Sequence, residues 1–177
     1  MKKLLSILVL LFLSIEASAQ IYYNGEKLNY SKIQGNRVGN VVGAYFTIGI
    51  SSAKSYKLIE GDTSGTDITD KRPEFKFTFA SKKDSLFADK NNFDGFVLVQ
   101  LIVKKKMRRL ITGKYGISGV QVKISEDIIQ PFSVDEDETD ENTFIVRPKK
   151  ELEPGEYAFF YMKDKPEVNK VYDFTIK

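Results

Sequence analysis

The stretch LEPGEYAFFYM, residues 152–162, decides how this chain is read. Proline followed by glycine is a turn signature: Pro154 presets φ for the second position of a tight turn, and Gly155 supplies the positive φ that a type II turn requires at its third. The expectation is that EPGE reverses the chain, so that Leu152 before it and Tyr157 after it pack together. The run Tyr157, Ala158, Phe159, Phe160 then has the aromatic content of a strand buried in a core.

Working outward, strand signals recur and helical ones do not. From residue 20 onward no stretch of ten or more residues shows apolar spacing of 3.6, whereas two-residue alternation is frequent. EFKFTFA places Phe75, Phe77 and Phe79 on one face with Lys76 and Thr78 opposite, the pattern of a strand buried on one side. FVLVQLIV, residues 96–103, is almost wholly apolar and reads as central, introduced by the turn pair Asp94-Gly95. Further strands are expected over 41–50, 55–59, 110–115, 120–124, 128–134, 143–147, 157–162 and 171–176, with Pro131 making its segment an edge or a bend.

About ten short strands parted by turns, without intervening helices, predict an all-β fold with antiparallel pairing. The pattern suits a β-sandwich of immunoglobulin-like or prealbumin-like type, and equally a small β-barrel. The segment 20–37 has two readings: a hairpin at Asn24-Gly25, both of which tolerate positive φ, or an extended N-terminal arm. No repeat, linker or shift in composition divides residues 20–177, which read as one domain.

The corner itself carries a resemblance. LEPGEY is similar to the L-x-P-G-x-Y corner of prealbumin-like and collagen-adhesin stalk-like sandwich modules, in which a tyrosine opening the penultimate strand returns its hydroxyl to the backbone. An immunoglobulin domain would carry cysteine where Phe159 stands, and this chain has neither cysteine nor tryptophan. More broadly the chain resembles secreted envelope proteins of Gram-negative bacteria that share a P-x-F-x-F strand, a central apolar strand followed by basic residues, and a closing PGEY…VYDF pair. The matching stretches are residues 73–77, 96–109 and 154–174. That resemblance implies a β fold and no assigned activity.

The first residues point to export. Lys2 and Lys3 precede an apolar core, residues 4–15, too short to span a bilayer, and Ala17-Ser18-Ala19 has the small-x-small spacing of a cleavage site. The expectation is a signal peptide over 1–19 and a mature chain beginning at Gln20, periplasmic or extracellular, without a transmembrane segment after cleavage. With no cysteine in the chain, a lipoprotein anchor, a disulfide and thiol chemistry are excluded. A single domain of this length buries roughly two-thirds of its unfolded surface and must hold together by its core alone.

Charge and composition exclude further classes. Lys and Arg number 27 against 24 Asp and Glu, a balance without the electrostatic footprint of a nucleic-acid binder. The chain has no histidine, so Ser-His-Asp and Cys-His arrangements are absent, as are G-x-S-x-G, P-loop and S-x-x-K signatures. No cofactor is implied. A carboxylate-dependent hydrolase remains the one catalytic alternative, and nothing in the spacing of Asp and Glu selects a pair.

Three stretches are candidate binding sites. DEDETDEN places Asp135, Asp137 and Thr139 at positions one, three and five of a Ca²⁺ loop, with Asp140 and Glu141 as further oxygen donors. Asp140 stands where that loop needs glycine, however, and Val146 where it needs glutamate; the alternative is a solvated loop between strands. KKKMRR, with Lys104, Lys105, Lys106, Arg108 and Arg109, suits an anionic polysaccharide, lipid headgroups or the acidic loop of a neighbouring molecule. Its alternative is the exposed end of a hairpin, and a functional patch needs further cations converging from distant strands. Tyr22, Tyr23 and Tyr30 suit a glycan-stacking face, the alternative being ordinary packing. The expected function is non-catalytic, binding or structural, with an envelope protein or a glycan as partner.

Overall fold

The computed structural model describes residues 19–39, 53–79, 93–116, 119–121, 124–161 and 170–177; the strand expected over 41–50 lies outside them. In chain order the strands are β1 (Gln20–Tyr23), β2 (Glu26–Lys27), β3 (Tyr30–Val38), β4 (Ala53–Glu60), β5 (Asp67–Ile68), β6 (Phe75–Thr78), β7 (Phe96–Gln100) and β8 (Ile102–Val103). There follow β9 (Met107–Gly116), β10 (Gly119–Gln121), β11 (Ile129–Gln130), β12 (Phe132–Glu136), β13 (Thr143–Pro148), β14 (Gly155–Tyr161) and β15 (Lys170–Ile176). The described residues contain no α-helix.

These strands form two sheets. One has five strands in the order β12-β13-β6-β1-β2. The other runs β10-β9-β4-β3-β15-β14-β7-β11, with β5 parallel beside β15. Strands β7 and β8 are one stretch of chain parted only by Leu101. Because β7 pairs with β14 while β8 pairs with β9, the long sheet curls until its two flanks meet. The sandwich and barrel expectations are thus combined: a half-barrel packed on a second sheet.

Two cores result, and β14 divides them. Tyr157 and Phe159 point between the sheets, where they join Phe75, Phe77, Phe174 and Leu152. Ala158 and Phe160 point into the curl, with Ile59, Val99, Leu110 and Val171. A strand covered on both faces loses its alternation, which explains the unbroken apolar run of residues 157–160 and of 96–99. Phe75 and Phe77 keep theirs, since Lys76 between them faces solvent.

The opening corner carries the chain from β13 in one sheet to β14 in the other. The Tyr157 hydroxyl donates to the Glu153 carbonyl at 2.8 Å, and its ring stacks on Phe174 with centroids 5.7 Å apart. Burial, with the Glu153 charge adding to it, pushes the Tyr157 hydroxyl above its usual pKa. The turn type is a correction. Gly155 has φ 157°, not the value near 80° of a type II turn, and already pairs with Ile176 as the first residue of β14. The reversal is therefore held by the tyrosine and by the backbone bond from Leu152 to the Lys71 carbonyl, 2.7 Å. Tyr157→Phe is expected to lower the unfolding free energy by about 0.5–1.5 kcal/mol in a urea titration, and an unchanged midpoint would remove the hydroxyl from the account.

Residues 20–37 are not an arm, which corrects the second reading of that segment. Asn24 (φ 49°) and Gly25 (φ 80°) form the two-residue loop of a hairpin, with Tyr23 paired to Glu26. Strand β1 lies on β6, and β3 sits inside the long sheet between β4 and β15. The apolar positions are few, but Ile21 and Leu28 are fully buried. Pro131 stands where β11 of the long sheet gives way to β12 at the edge of the other, the expected bend.

Candidate functional site

The basic run is the tip of the β8–β9 hairpin. Lys104 and Met107 exchange backbone bonds of 2.9 and 3.3 Å, leaving Lys105 (φ 55°) and Lys106 (φ 57°) as the two loop residues. Positive φ at both positions is the type I′ turn, where Asn-Gly is the ordinary choice. Two lysines there cost about 1–2 kcal/mol each in backbone strain. Strain retained at an exposed tip is an indication of function.

Beyond the turn the run divides by strand alternation. Arg109 lies with its guanidinium carbon 5.7 Å from the centre of the Tyr56 ring, and its Nε is buried without a hydrogen-bond partner. Tyr56 pairs in the β3–β4 ladder with Arg37, so a cation some seventy residues away in sequence arrives beside the hairpin. Arg37, Val38, Tyr56, Lys104, Lys105 and Arg109 line a cleft of about 460 Å³, and none of the described residues lining it is acidic. Convergence of cations from separate strands is thus met.

Arg108 departs from the surface site expected of it, which is a correction. It is 3% exposed, and its side chain enters the curl. It pairs with Asp173 of β15, lies 3.8 Å from a Glu156 oxygen, and donates to the carbonyls of Glu60 (2.8 Å) and Gly61 (3.4 Å). Glu156 accepts from the Ser64 backbone N–H at 2.9 Å and from the Thr175 hydroxyl at 2.7 Å. Ser31 donates to the same Asp173 oxygen that pairs with Arg108. Desolvation raises the Glu156 pKa against the lowering effect of these donors and of Arg108. The cluster is a closed structural core of polar groups, shut to solvent by the sheet around it.

The acidic loop is occupied with its own structure. Asp137 accepts from the backbone N–H and hydroxyl of Thr139 and pairs with Lys76 at 3.1 Å, which together hold its pKa down to about 2. Asp140 accepts from the Asn142 N–H and the Thr143 hydroxyl, which lower its pKa in that order of effect. Asp135 pairs with Arg147 at 3.0 Å. Asp135, Asp137, Asp140 and Glu141 do not gather around one point: among the described residues no three carboxylates are placed to hold a common ion.

The tyrosines are likewise dispersed. Tyr22 donates to the Gln20 side chain, while Tyr23, its neighbour on the opposite face of β1, tilts onto Phe75 at 5.8 Å. Tyr30 belongs to the other sheet, with the Lys170 ammonium 4.9 Å from its ring centre.

Arg37 and Tyr56 were not legible as site residues, because only the β3–β4 register brings them to the hairpin. The burial of Arg108 had a signal: it stands two residues before Leu110, and in a strand both face the same side. No protein-family model, curated protein or solved structure matches this chain, so its own geometry carries the functional reading.

Proposed function

We propose that this protein is exported, with its mature chain beginning at Gln20, and acts in the cell envelope by binding an anionic group in the cleft between Arg37 and the β8–β9 hairpin rather than by catalysis. The observation that carries the reading is the unpartnered, buried Nε of Arg109 within a cleft whose described lining is cationic, aromatic and apolar. A guanidinium held over an aromatic ring has its position restricted, and an anion reaching its Nε supplies the partner that atom lacks. The absence of histidine, cysteine and catalytic signatures supports binding over chemistry.

Export has a local consequence. Strand β1 begins directly after the expected cleavage point, and the Ala19 carbonyl accepts from the Tyr172 hydroxyl at 2.9 Å. Processing after Ala19 removes that acceptor and leaves β1 whole.

Calorimetric titration of the mature protein with inorganic phosphate and with a sulfated oligosaccharide tests the reading. Saturable heat is expected that fades with added salt, and Arg109→Ala weakens it roughly 10- to 100-fold, the loss of one charged hydrogen-bonding group. Absence of heat with both probes, or heat indifferent to Arg109→Ala, refutes it.

A further inference from the structure

We propose that the anion belongs to a lipid surface: the β8–β9 hairpin docks this protein on an anionic bilayer, its lysines and arginines on the headgroups and its exposed apolar residues at the acyl boundary. This rests on the anion-binding reading above. Five large apolar side chains stand out as exposed among the described residues, and three of them border this site: Val38 (38%), Ile102 (37%) and Val103 (47%). Val38 lines the cleft, and Ile102 and Val103 lead directly into Lys104. A soluble anion in the cleft leaves Ile102 and Val103, which lie outside its lining, uncovered. A bilayer interface uses the basic and the apolar residues together, through charge attraction and burial of apolar area.

The hairpin geometry fits the same occupant. The type I′ turn places two consecutive lysines at the most protruding point of the hairpin, where Asn-Gly is less strained, and with Arg37, Lys104 and Arg109 they make five cations about one tip. The ion pairs of the acidic loop lie on β6, β12 and β13 of the other sheet and draw no charge from this end.

Co-sedimentation of the mature protein with phosphatidylcholine vesicles, with and without phosphatidylglycerol, tests the proposal. Binding is expected to the anionic vesicles alone and to weaken as salt rises. The double variant Lys105→Asn, Lys106→Gly relieves the turn and so folds at least as stably, yet its partition is expected to fall roughly 30-fold, at about one kcal/mol for each cation. Ile102→Thr with Val103→Thr keeps β-branched side chains in the strand, and is expected to weaken vesicle binding while leaving the phosphate titration unchanged. Equal binding to neutral vesicles, or binding indifferent to both double variants, overturns the proposal. Phosphate binding without vesicle binding overturns lipid docking and leaves the anion cleft standing; loss of both removes the two together.

Discussion

Replacing Arg108 by methionine is expected to lower the unfolding free energy by about 3–5 kcal/mol, a large part of the 5–15 kcal/mol typical of a domain. The side chain lost is of similar length, so packing alone does not account for such a cost. What the variant leaves behind does: Asp173 and Glu156, both 4% exposed, without their cation, and the carbonyls of Glu60 and Gly61 without their donor. The effect depends on pH with a definite sign. Glu156 already has a raised pKa from desolvation, and removing the nearby guanidinium raises it further. Stability from a raised carboxyl is present below its unfolded pKa, near 4, and lost as pH rises through the folded value. The deficit of the variant is therefore expected to shrink from neutral pH toward about pH 4 as the buried carboxyl takes up a proton. Urea unfolding at several pH values measures it, and a small, pH-independent loss would show that Arg108 is not the counter-ion of this pair.

Phe159→Ala is expected to cost a similar amount, about 3–5 kcal/mol, for a different reason. Its ring is fully buried at the meeting of the two sheets, with centroids 5.0 Å from Phe75, 5.1 Å from Phe77, and 6.0 Å from both Phe132 and Phe174. Those neighbours belong to β6, β12 and β15, so the cavity opens between layers that cannot both follow a shrinking side chain. Edge-to-face pairs add about 0.5–1.5 kcal/mol each beyond buried area. In contrast to Arg108→Met, this loss is expected to be independent of pH between about 4 and 7, since the rings packed on it are those of phenylalanines. A cost below that of an exposed substitution, or one that vanished at acid pH, would place Phe159 outside the shared core.

The same five residues, KKKMRR less its methionine, show how far a linear reading reaches. Their charge and the hairpin were legible, because lysines following an apolar strand mark its exposed end. Their division was not. Arg109 serves the cleft and Arg108 the interior, and the partners that decide this, Tyr56 and Asp173, come from β4 and β15. The EPGE corner gives a second instance. Tyr157 does return its hydroxyl to the preceding corner, and Gly155 does take a positive φ that favours glycine, but its pairing with Ile176 draws that φ away from the type II value, which local turn preference does not contain. In the segment 20–37 the Asn24-Gly25 signal marked the turn without choosing between hairpin and arm, and the weak apolar content of β3 hid its place within the long sheet.

Residue order alone determined that the chain is built of antiparallel strands, that Asn24-Gly25 favours a turn, and that Pro131 puts its segment at an edge or a bend, since each depends on φ preference and on side-chain alternation within a few residues. The tertiary structure decided that the long sheet curls to give a second core, that one arginine of a pair is buried and its neighbour lines a cleft, and that Arg37 completes that cleft. These depend on ladder register between strands distant in sequence, and register is set by the summed burial of whole faces, which no single segment carries.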